Sequence, residues 1–524
     1  MGQSEIAVFD TTLRDGTQGT GINFTLKDKL EIAEMLDSFG IDYIEGGFPL
    51  ASERETAFFK EVRNLNLRHS KICAFGSTRK PDGKASQDAH INALLQAETP
   101  TVVIVGKAWD AHAQEVLKTS LDENLNMVHD SVSYLKSEGR EIIFDLEHFF
   151  DGYLRNRDYA VQVLKTATEA GADCLVLCDT NGGTLPQQAV AAINDLKQLN
   201  LAPLGVHFHN DTGTAVASSI LSVDAGAVHV QGTINGWGER VGNANLCAII
   251  PNLVLKMGRN IYAADNLKEL TKLSRFTAEK ANIIPEKNQA YVGETAFSHK
   301  AGQHADVLAK AEHLMEHMDS SLVGNSRRIL LSELAGKSTI VRKLAKYGEF
   351  DKGSDIVASL TDTLKKKEME GYEYEAAEAS FDNIMRKALN KFTPLFELQN
   401  YHLESYKTMD SKSKTVGRLF LKAGGVEHMG AAVGEGPVDT LNASVRDALI
   451  PSYPFLKNIH LTDYRVRVLN PEEATAAKVR VFITFTDNNI TWDSVGVSEN
   501  IIEASWEALI DAINFYYNNF VLEE

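Results

Sequence analysis

The sequence predicts an α/β protein: a (β/α)8 barrel, then mostly helical linker subdomains, then a C-terminal α+β domain with internal pseudo-symmetry. Strand-like apolar runs alternate with helical patterns through the first half, helical patterns follow, and strand patterns return near Leu395. Eight strands alternating with helices over roughly 250 residues are typical of such a barrel. We place the three domains at residues 1–266, 267–394 and 395–524.

The eight barrel strands are predicted from short apolar runs. Between them lie amphipathic stretches such as LKDKLEIAEMLDSFG, which ends in glycine, as helix C-termini prefer. The runs are IAVFD, DYIEGGF, KICAFG, TVVIVG, EIIFDLEH, CLVLCDT, LGVHFHN and HVQGTIN, and they begin at residues 6, 42, 71, 101, 141, 174, 204 and 229.

Polar side chains suited to chemistry follow six of these eight runs, at the point where each strand ends. In a barrel of this kind the C-terminal strand ends form the active-site face. Polar residues also mark any change from strand to loop, but that explanation accounts for one or two strands rather than six. The residues are Asp10–Asp15, Glu45, Asp145–His148, Asp179, Thr180, His207–Asn210 and Asn235.

Two histidines share the seventh predicted strand. His207 and His209 alternate along it, so both side chains project to the same side of the sheet. A single inward histidine is most often a hydrogen-bonded core residue, whereas two of them with a nearby acid are typical ligands of Zn, Mn or Fe. Asp15 supplies that acid at the end of the first strand, which closes against the eighth. These residues predict a divalent metal site.

The last segment contains an approximate internal repeat. Val433-Gly434 and Val495-Gly496 each follow β-rich stretches, and each precedes a helical pattern, PVDTLNASVRDALI or SENIIEASWEALIDAINFYY. Two similar β-then-α units predict a pseudo-symmetric domain that could hold a ligand or a partner between its halves.

Composition excludes several classes of partner. The 524 residues carry 71 Asp and Glu against 53 Lys and Arg, a formal net charge of -18, which disfavours binding to nucleic acid or to an anionic membrane. No apolar run approaches the length of a membrane span. The four cysteines are few and irregularly spaced, so we expect a cytoplasmic protein without disulfides.

Three motifs resemble those of one known family. DTTLRDGTQG (Asp10–Gly19), HFHNDTGTAVAS (His207–Ser218) and GTINGWGERVGNANL (Gly232–Leu246) resemble signatures of the 2-isopropylmalate, homocitrate and citramalate synthases. That family consists of metal-dependent TIM-barrel enzymes that condense an acyl-CoA with a 2-oxo acid. The resemblance covers essentially the whole chain, and it implies that the C-terminal repeat is an amino-acid-sensing regulatory domain.

The resemblance implies a metal site and its ligands. Asp15, His207 and His209 match the family's metal ligands, and Asn243 matches an amide placed close to the metal. We therefore expect a divalent ion, Zn, Mn or Mg, at these four residues. This expectation agrees with the site that the histidine spacing predicts.

The resemblance also implies roles for four further residues. Arg14 matches the arginine that holds the 2-oxo group and its developing charge. Glu147 matches an acidic residue of the same active site, and Thr180 matches a threonine that binds the carboxylate of the 2-oxo acid. His304 takes the place of a histidine implicated in catalysis across the subunit interface, which implies a homodimer. Gln303 replaces the isoleucine usual before that histidine.

Further motifs bear on the substrate. YIEGGFP, AFGSTR and DLEHFFDGY most resemble the citramalate-forming branch, which implies pyruvate and acetyl-CoA as substrates in the first step of a route to isoleucine. One alternative is a 2-isopropylmalate synthase, whose acceptor is 2-oxoisovalerate. That acceptor is one or two methylenes larger than pyruvate, a difference that gives an enzyme only about 1–3 kcal/mol of discrimination between the two substrates. Others are an acyl-CoA lyase or carboxyltransferase on the same barrel, and a non-catalytic amino-acid-binding regulator.

Isoleucine is the effector that this branch implies. We expect its site beside Gly434–Pro437 and Val495-Gly496, where missing side chains would let a ligand approach the backbone.

Overall fold

The computed structural model describes residues 5–299, 316–329, 337–374, 377–407, 409, 412–469, 477–487 and 490–522. The chain divides into two compact units. The first comprises Met1–Phe297 with Met318–Arg327, and the second comprises Ser298–His317 with Arg328–Glu524. The finer boundaries at residues 266 and 394 stay a prediction.

The first unit contains a closed barrel of eight parallel strands in chain order, which confirms the predicted barrel. The last strand pairs with the first from Ala7 opposite His229 to Asp10 opposite Gly232. The strands are β1 (Ala7–Asp10), β2 (Tyr43–Gly47), β3 (Lys71–Ser77), β4 (Thr101–Lys107), β5 (Glu141–Glu147), β6 (Cys174–Asp179), β7 (Leu204–Phe208) and β8 (His229–Gly232).

Helices of this unit begin and end at residue types that favour helix termini. The Thr25 hydroxyl accepts a hydrogen bond from the Asp28 amide, the Asp28 carboxylate accepts one from the Thr25 amide, and the same helix ends at Gly40 with φ of 101°. The helices are α1 (Leu26–Phe39), α2 (Glu53–Glu61), α3 (Ala89–Gln96), α4 (Leu121–Ser137), α5 (Phe149–Arg155), α6 (Arg157–Glu169), α7 (Pro186–Leu196), α8 (Ala215–Ala225), α9 (Leu246–Pro251) and α10 (Leu270–Lys280).

A buried ion pair fastens α1 and α2 to the end of β2. The Lys29 ammonium donates to both carboxylate oxygens of Glu55, at 2.8 and 2.7 Å, and to the Gly46 carbonyl at 2.7 Å. Lys29 is only 1% exposed, so it depends on these three acceptors. Because Gly46 follows Glu45, the pair also holds the strand end that carries Glu45.

The four cysteines are free and buried, as the sequence predicts. Cys73, Cys174 and Cys178 pack with apolar side chains of β1, β4, β5 and β6 in one small cluster. Burial raises the pKa of each of these thiols, so they remain protonated and inert at neutral pH. In the described part of the chain, no helix combines the length and hydrophobicity that crossing a membrane requires.

The second unit contains the predicted repeat of β-then-α units. Each of two three-stranded antiparallel sheets is followed by a helix. The elements of this unit are β9 (Ser298–His299), β10 (Arg328–Ile329), α11 (Lys337–Leu344), α12 (Asp355–Met369), α13 (Glu378–Ala388), β11 (Glu397–Tyr406), β12 (Lys414–Ala423), β13 (Val426–Gly434), α14 (Pro437–Leu449), β14 (His460–Val468), β15 (Val479–Thr486), β16 (Thr491–Ser498) and α15 (Ile501–Tyr516).

Glycines of the two sheets lie where the following helix packs closest. A Cβ on Gly496 would lie 2.0 Å from the Ala504 carbonyl oxygen, and one on Gly430 would lie 2.0 Å from that of Ser444. By this geometry Gly430 is the counterpart of Gly496, whereas the sequence pattern pairs Gly496 with Gly434. A Cβ on Gly434 would lie 2.5 Å from Asp439 Oδ2. The helices thus pack closely against Gly434 and Gly496, whereas a Cβ on Gly436 would meet no atom within 4 Å, and the effector site stays a prediction.

We expect Gly496→Ala to destabilise the second unit by about 1–3 kcal/mol, because the new methyl group meets backbone that cannot move alone. Chemical denaturation followed by the fluorescence of the buried Trp506 measures the change. Gly353→Ala is the matched control, since a Cβ there meets no atom within 4 Å. Equal stability of the two variants would contradict the close helix packing.

Candidate active site

The turn after β1 is held by its own threonines. The amides of Arg14 and Gly16 donate to the Thr11 carbonyl at 3.1 and 3.0 Å, and the Asp15 amide donates to the Thr11 hydroxyl at 3.2 Å. Thr12 accepts a hydrogen bond from the Ile234 amide at 2.8 Å, which ties this turn to the loop after β8. These bonds fix Arg14 and Asp15 at the C-terminal mouth of the barrel.

The loop after β8 folds back over the end of β7. His209 and Asn243 form an isolated antiparallel bridge, and the Ala244 amide donates to the Phe208 carbonyl at 2.9 Å. A Cβ on Gly238 would lie 2.1 Å from Asn243 Nδ2, so this glycine permits the close approach of the loop. The glycines of GWGERVGN therefore shape a loop beside the predicted metal ligands.

Three predicted metal ligands meet in one buried cluster. His207 Nε2 and His209 Nε2 lie 3.6 and 3.8 Å from Asp15 Oδ2. One ligand atom from each residue lies within 4.8 Å of the others, close enough to bind one ion. Among the described residues this is the one group of three or more acids, histidines or cysteines with such spacing.

Asn243 completes the cluster with an unused acceptor. Its Nδ2 donates to Asp15 Oδ1 and to the Trp237 carbonyl, both at 3.0 Å. Its Oδ1 is buried and has no hydrogen-bond partner within the described ranges. A buried carbonyl oxygen is costly to leave unpaired, and a cation would satisfy it. The donor set of one carboxylate, two imidazoles and one amide oxygen therefore fits a divalent metal.

Electrostatics hold the three ligands in the protonation states that metal binding needs. Burial acts to raise the pKa of Asp15, but Arg14 and both histidines lower it to about 2. Burial and His209 lower the pKa of His207 to about 4, and burial also lowers the pKa of His209. At neutral pH the cluster therefore offers a carboxylate and two neutral imidazoles.

Arg14 lies beside this cluster with its charge fixed. Its guanidinium donates to Glu45 Oε2 at 2.7 Å and to Asp15 Oδ2 at 3.1 Å, and it lies 4.1 Å from the centre of the Phe75 ring. Burial acts to lower the pKa of Arg14, but the charges of Glu45 and Asp15 outweigh it and raise that pKa. The guanidinium is therefore a permanent, oriented cation.

Thr180 and Glu147 lie at neighbouring strand ends. The Thr180 hydroxyl oxygen accepts a hydrogen bond from the His148 amide at 2.9 Å, which leaves the hydroxyl proton available for a ligand. Glu147, at the end of β5, forms an ion pair with Lys107 at the end of β4. Among the described residues Glu147 thus pairs with Lys107 rather than with the metal cluster.

Sequence reasoning missed Lys107, identified Glu45 without its partner, and reached one residue that lies outside the described ranges. Lys107 beside Glu147 carries no assigned role in the motifs, although it ends a barrel strand as active-site residues do. The sequence predicts Glu45 at this face but not its ion pair with Arg14. His304 lies outside the described residues.

Family models match nearly all of the chain. The HMGL-like model matches residues 5–277, the homocitrate synthase post-HMGL domain-like model residues 291–371, and the LeuA allosteric (dimerisation) domain model residues 375–517. The first match spans more than half of the 524 residues and includes every candidate site residue except His304.

Curated relatives are similar over almost the full length. The (R)-citramalate synthase of Aquifex aeolicus is 48% identical over 97% of both chains, and that of Geobacter sulfurreducens is 45% identical over 98% of this chain and 97% of its own. The 2-isopropylmalate synthase of Methanocaldococcus jannaschii is 31% identical over 97% of this chain and 94% of its own. The chain therefore belongs to the HMGL-like family, within which it groups with the (R)-citramalate synthases.

Proposed function

We propose that the chain condenses acetyl-CoA with pyruvate and water to give (R)-citramalate and free CoA. A carbon–carbon bond forms between the acetyl methyl carbon and the keto carbon, and hydrolysis of the thioester releases CoA. The 43–48% identity to five (R)-citramalate synthases favours pyruvate as acceptor over 2-oxoisovalerate, because the 2-isopropylmalate synthases are only 30–31% identical.

The observation that carries the proposal is the buried ligand cluster with its unpaired amide oxygen. Asp15, His207, His209 and Asn243 would hold a divalent ion, Zn, Mn or Mg. Such an ion, when bound, polarises the keto group of a chelated 2-oxo acid as a Lewis acid.

Arg14 supplies the second source of electrostatic stabilisation. Its ion pairs with Glu45 and Asp15 orient the guanidinium, so its charge is in place before the keto oxygen becomes an alkoxide. The Thr180 hydroxyl would donate to the carboxylate of the 2-oxo acid, since its oxygen already accepts from the His148 amide. Glu147 would act at the same mouth, with its charge balanced by Lys107.

We assign acetyl-CoA to a cavity of about 520 Å³ beside Asn243. Its lining includes apolar side chains, Ile22, Trp237 and Ile284, and also Arg240. The apolar side chains would contact the pantetheine arm, while Arg240, which also pairs with Asp211, would bind the phosphates of CoA. His304 is the base that we propose for removing the methyl proton, because imidazole has a suitable pKa at neutral pH.

We further infer a cytoplasmic homodimer that is inhibited by isoleucine. The match of residues 375–517 to an allosteric and dimerisation domain supports both the pairing and an effector. Four buried free thiols suit a reducing compartment. The reaction would then be the first step of a route to isoleucine, and feedback at a first step limits the whole route.

The acceptor can be tested by measuring CoA release from acetyl-CoA with a panel of 2-oxo acids. We expect kcat/KM to be highest for pyruvate and to fall with each added methylene, because hydrophobic discrimination is worth about 1–3 kcal/mol per group. Product chirality by chromatography distinguishes (R)-citramalate. A higher kcat/KM with 2-oxoisovalerate would favour 2-isopropylmalate synthase instead.

The metal site predicts that His209→Ala loses both stoichiometric zinc and condensation activity while the barrel stays folded. The variant removes one imidazole ligand at a strand end. Elemental analysis after dialysis measures bound metal, and circular dichroism measures folding. His129→Ala, on the exposed face of α4, is the matched control and should keep both properties. Full zinc content in His209→Ala would contradict the assigned ligand set.

For Arg14→Lys we expect a fall in kcat of about 100-fold or more with little change in thermal stability. Lysine keeps the charge but loses the planar fork that donates to Glu45 and Asp15 together, and one lost oxyanion donor costs about 10²–10³ in kcat. Arg63→Lys provides the comparison, since Arg63 pairs with Glu98 near the N-terminal ends of the barrel strands, opposite the metal ligands. Equal kcat values for the two variants would remove Arg14 from the chemistry.

A further inference from the structure

His207 can bind a cation through Nε2 only if its other nitrogen carries the proton. A neutral imidazole has one protonated and one unprotonated nitrogen, and the hydrogen bond made by one decides the state of the other. His207 Nε2 lies 3.6 Å from Asp15 Oδ2, on the side of the ligand cluster. His207 Nδ1 lies 2.9 Å from Oε1 of Gln231, a residue of β8 that no motif singles out.

Two acceptors fix the orientation of the Gln231 amide. Gln231 Nε2 lies 3.1 Å from Asp145 Oδ1 and 3.5 Å from His229 Nε2. Burial lowers the pKa of His229 to about 4, so this imidazole is neutral, and Nε2 accepts a hydrogen bond when Nδ1 carries the ring proton. The NH2 group of Gln231 therefore belongs on the side of Asp145 and His229, and the carbonyl oxygen belongs on the side of His207.

All four side chains are enclosed in the barrel. Gln231 is 0% exposed, Asp145 and His229 are each 3% exposed, and His207 is 5% exposed. Burial raises the pKa of Asp145, so this residue accepts from Gln231 Nε2 as a carboxyl group, through Oδ1. An amide rotated by 180° would turn its NH2 group away from Asp145 Oδ1 and His229 Nε2 and towards His207 Nδ1. Buried polar groups that lose their hydrogen-bond partners are costly, so the observed orientation is favoured.

We infer that Gln231, held by Asp145 and His229, is a positioning residue that fixes the Nδ1-protonated tautomer of His207 and so raises the metal affinity of the site. The inference rests on the proposed metal site and adds to it the residues that prepare one ligand. Outer partners of metal-bound histidines typically change metal affinity about 10–100-fold when they are removed.

The two histidine ligands differ in this support. His209 Nδ1 is buried and has no hydrogen-bond partner in the described part of the chain. The tautomer of His209 is therefore not set by the protein in the same way. A change at Gln231 should alter His207 alone, which makes the effect assignable to one residue.

The test compares full-length wild-type protein with Gln231→Met, which fills the space but neither accepts nor donates strongly. Zinc Kd is measured by competition with a chelator, and the tautomer of His207 by ¹⁵N chemical shifts of histidine-labelled, metal-free protein. We expect Gln231→Met to weaken zinc binding about 10–100-fold and to populate the Nε2-protonated tautomer of His207. Gln231→Glu keeps an acceptor for Nδ1 and should restore both properties.

Thr101→Val is the matched control, because it removes a buried hydrogen bond to Glu141 at the opposite end of the barrel strands. It should leave the zinc Kd unchanged. If Gln231→Met does not fold, Asp145→Leu frees the Gln231 amide to rotate and should weaken zinc binding in the same direction.

Two results would overturn the inference: an unchanged zinc Kd in Gln231→Met, or weaker binding with an unchanged His207 tautomer, which would indicate packing alone. Absence of zinc binding by the wild-type protein would instead contradict the proposed metal site.

Discussion

Asp15, at the end of the turn after the first strand, uses both carboxylate oxygens to hold parts of the chain that are far apart in sequence. Oδ1 accepts from Asn243, 228 residues later, while Oδ2 faces His207, His209 and Arg14. The bond to Asn243 also turns the amide so that its carbonyl oxygen is left for a ligand. Assembly of the ligand set and the position of the loop after β8 therefore depend on the same side chain.

The acids around this mouth differ sharply in ionisation, and environment rather than residue type decides the difference. Burial raises the pKa of Asp10 to about 7, even though Thr12 donates to it, whereas the pKa of Asp15 is lowered to about 2 by Arg14 and the histidines. Burial also raises the pKa of Asp145. Asp15 thus stays charged beside Arg14, and the cluster can receive a dication without first losing a proton from the Asp15 carboxyl group.

Much of this arrangement could be predicted because its signals are local. Apolar runs with polar ends identify β1–β8, and the two-residue spacing of His207 and His209 places both rings on one side. Contacts between residues that are far apart in sequence could not be predicted from such local patterns. Lys29 has the pattern of an exposed charge on an amphipathic helix, yet it is buried against Glu55. Lys107 meets Glu147 only because β4 and β5 pair in register, with Lys107 opposite Glu147. The close packing of Asp439 against Gly434 likewise could not be predicted from the glycine alone.

The register of the barrel strands positions the side chains of the site as well as the backbone. Val206 of β7 pairs with Val230 of β8, so His207 on one strand and Gln231 on the other occupy adjacent inward positions. A slip of one residue would turn the imidazole and the amide to opposite faces of the sheet. The register of β1 with β8 sets Asp10 opposite Gly232, and it thereby brings the Asp15 turn to the loop that carries Asn243. The ligand geometry is consequently set by backbone pairing along rigid strands, and the side chains need few further constraints to meet.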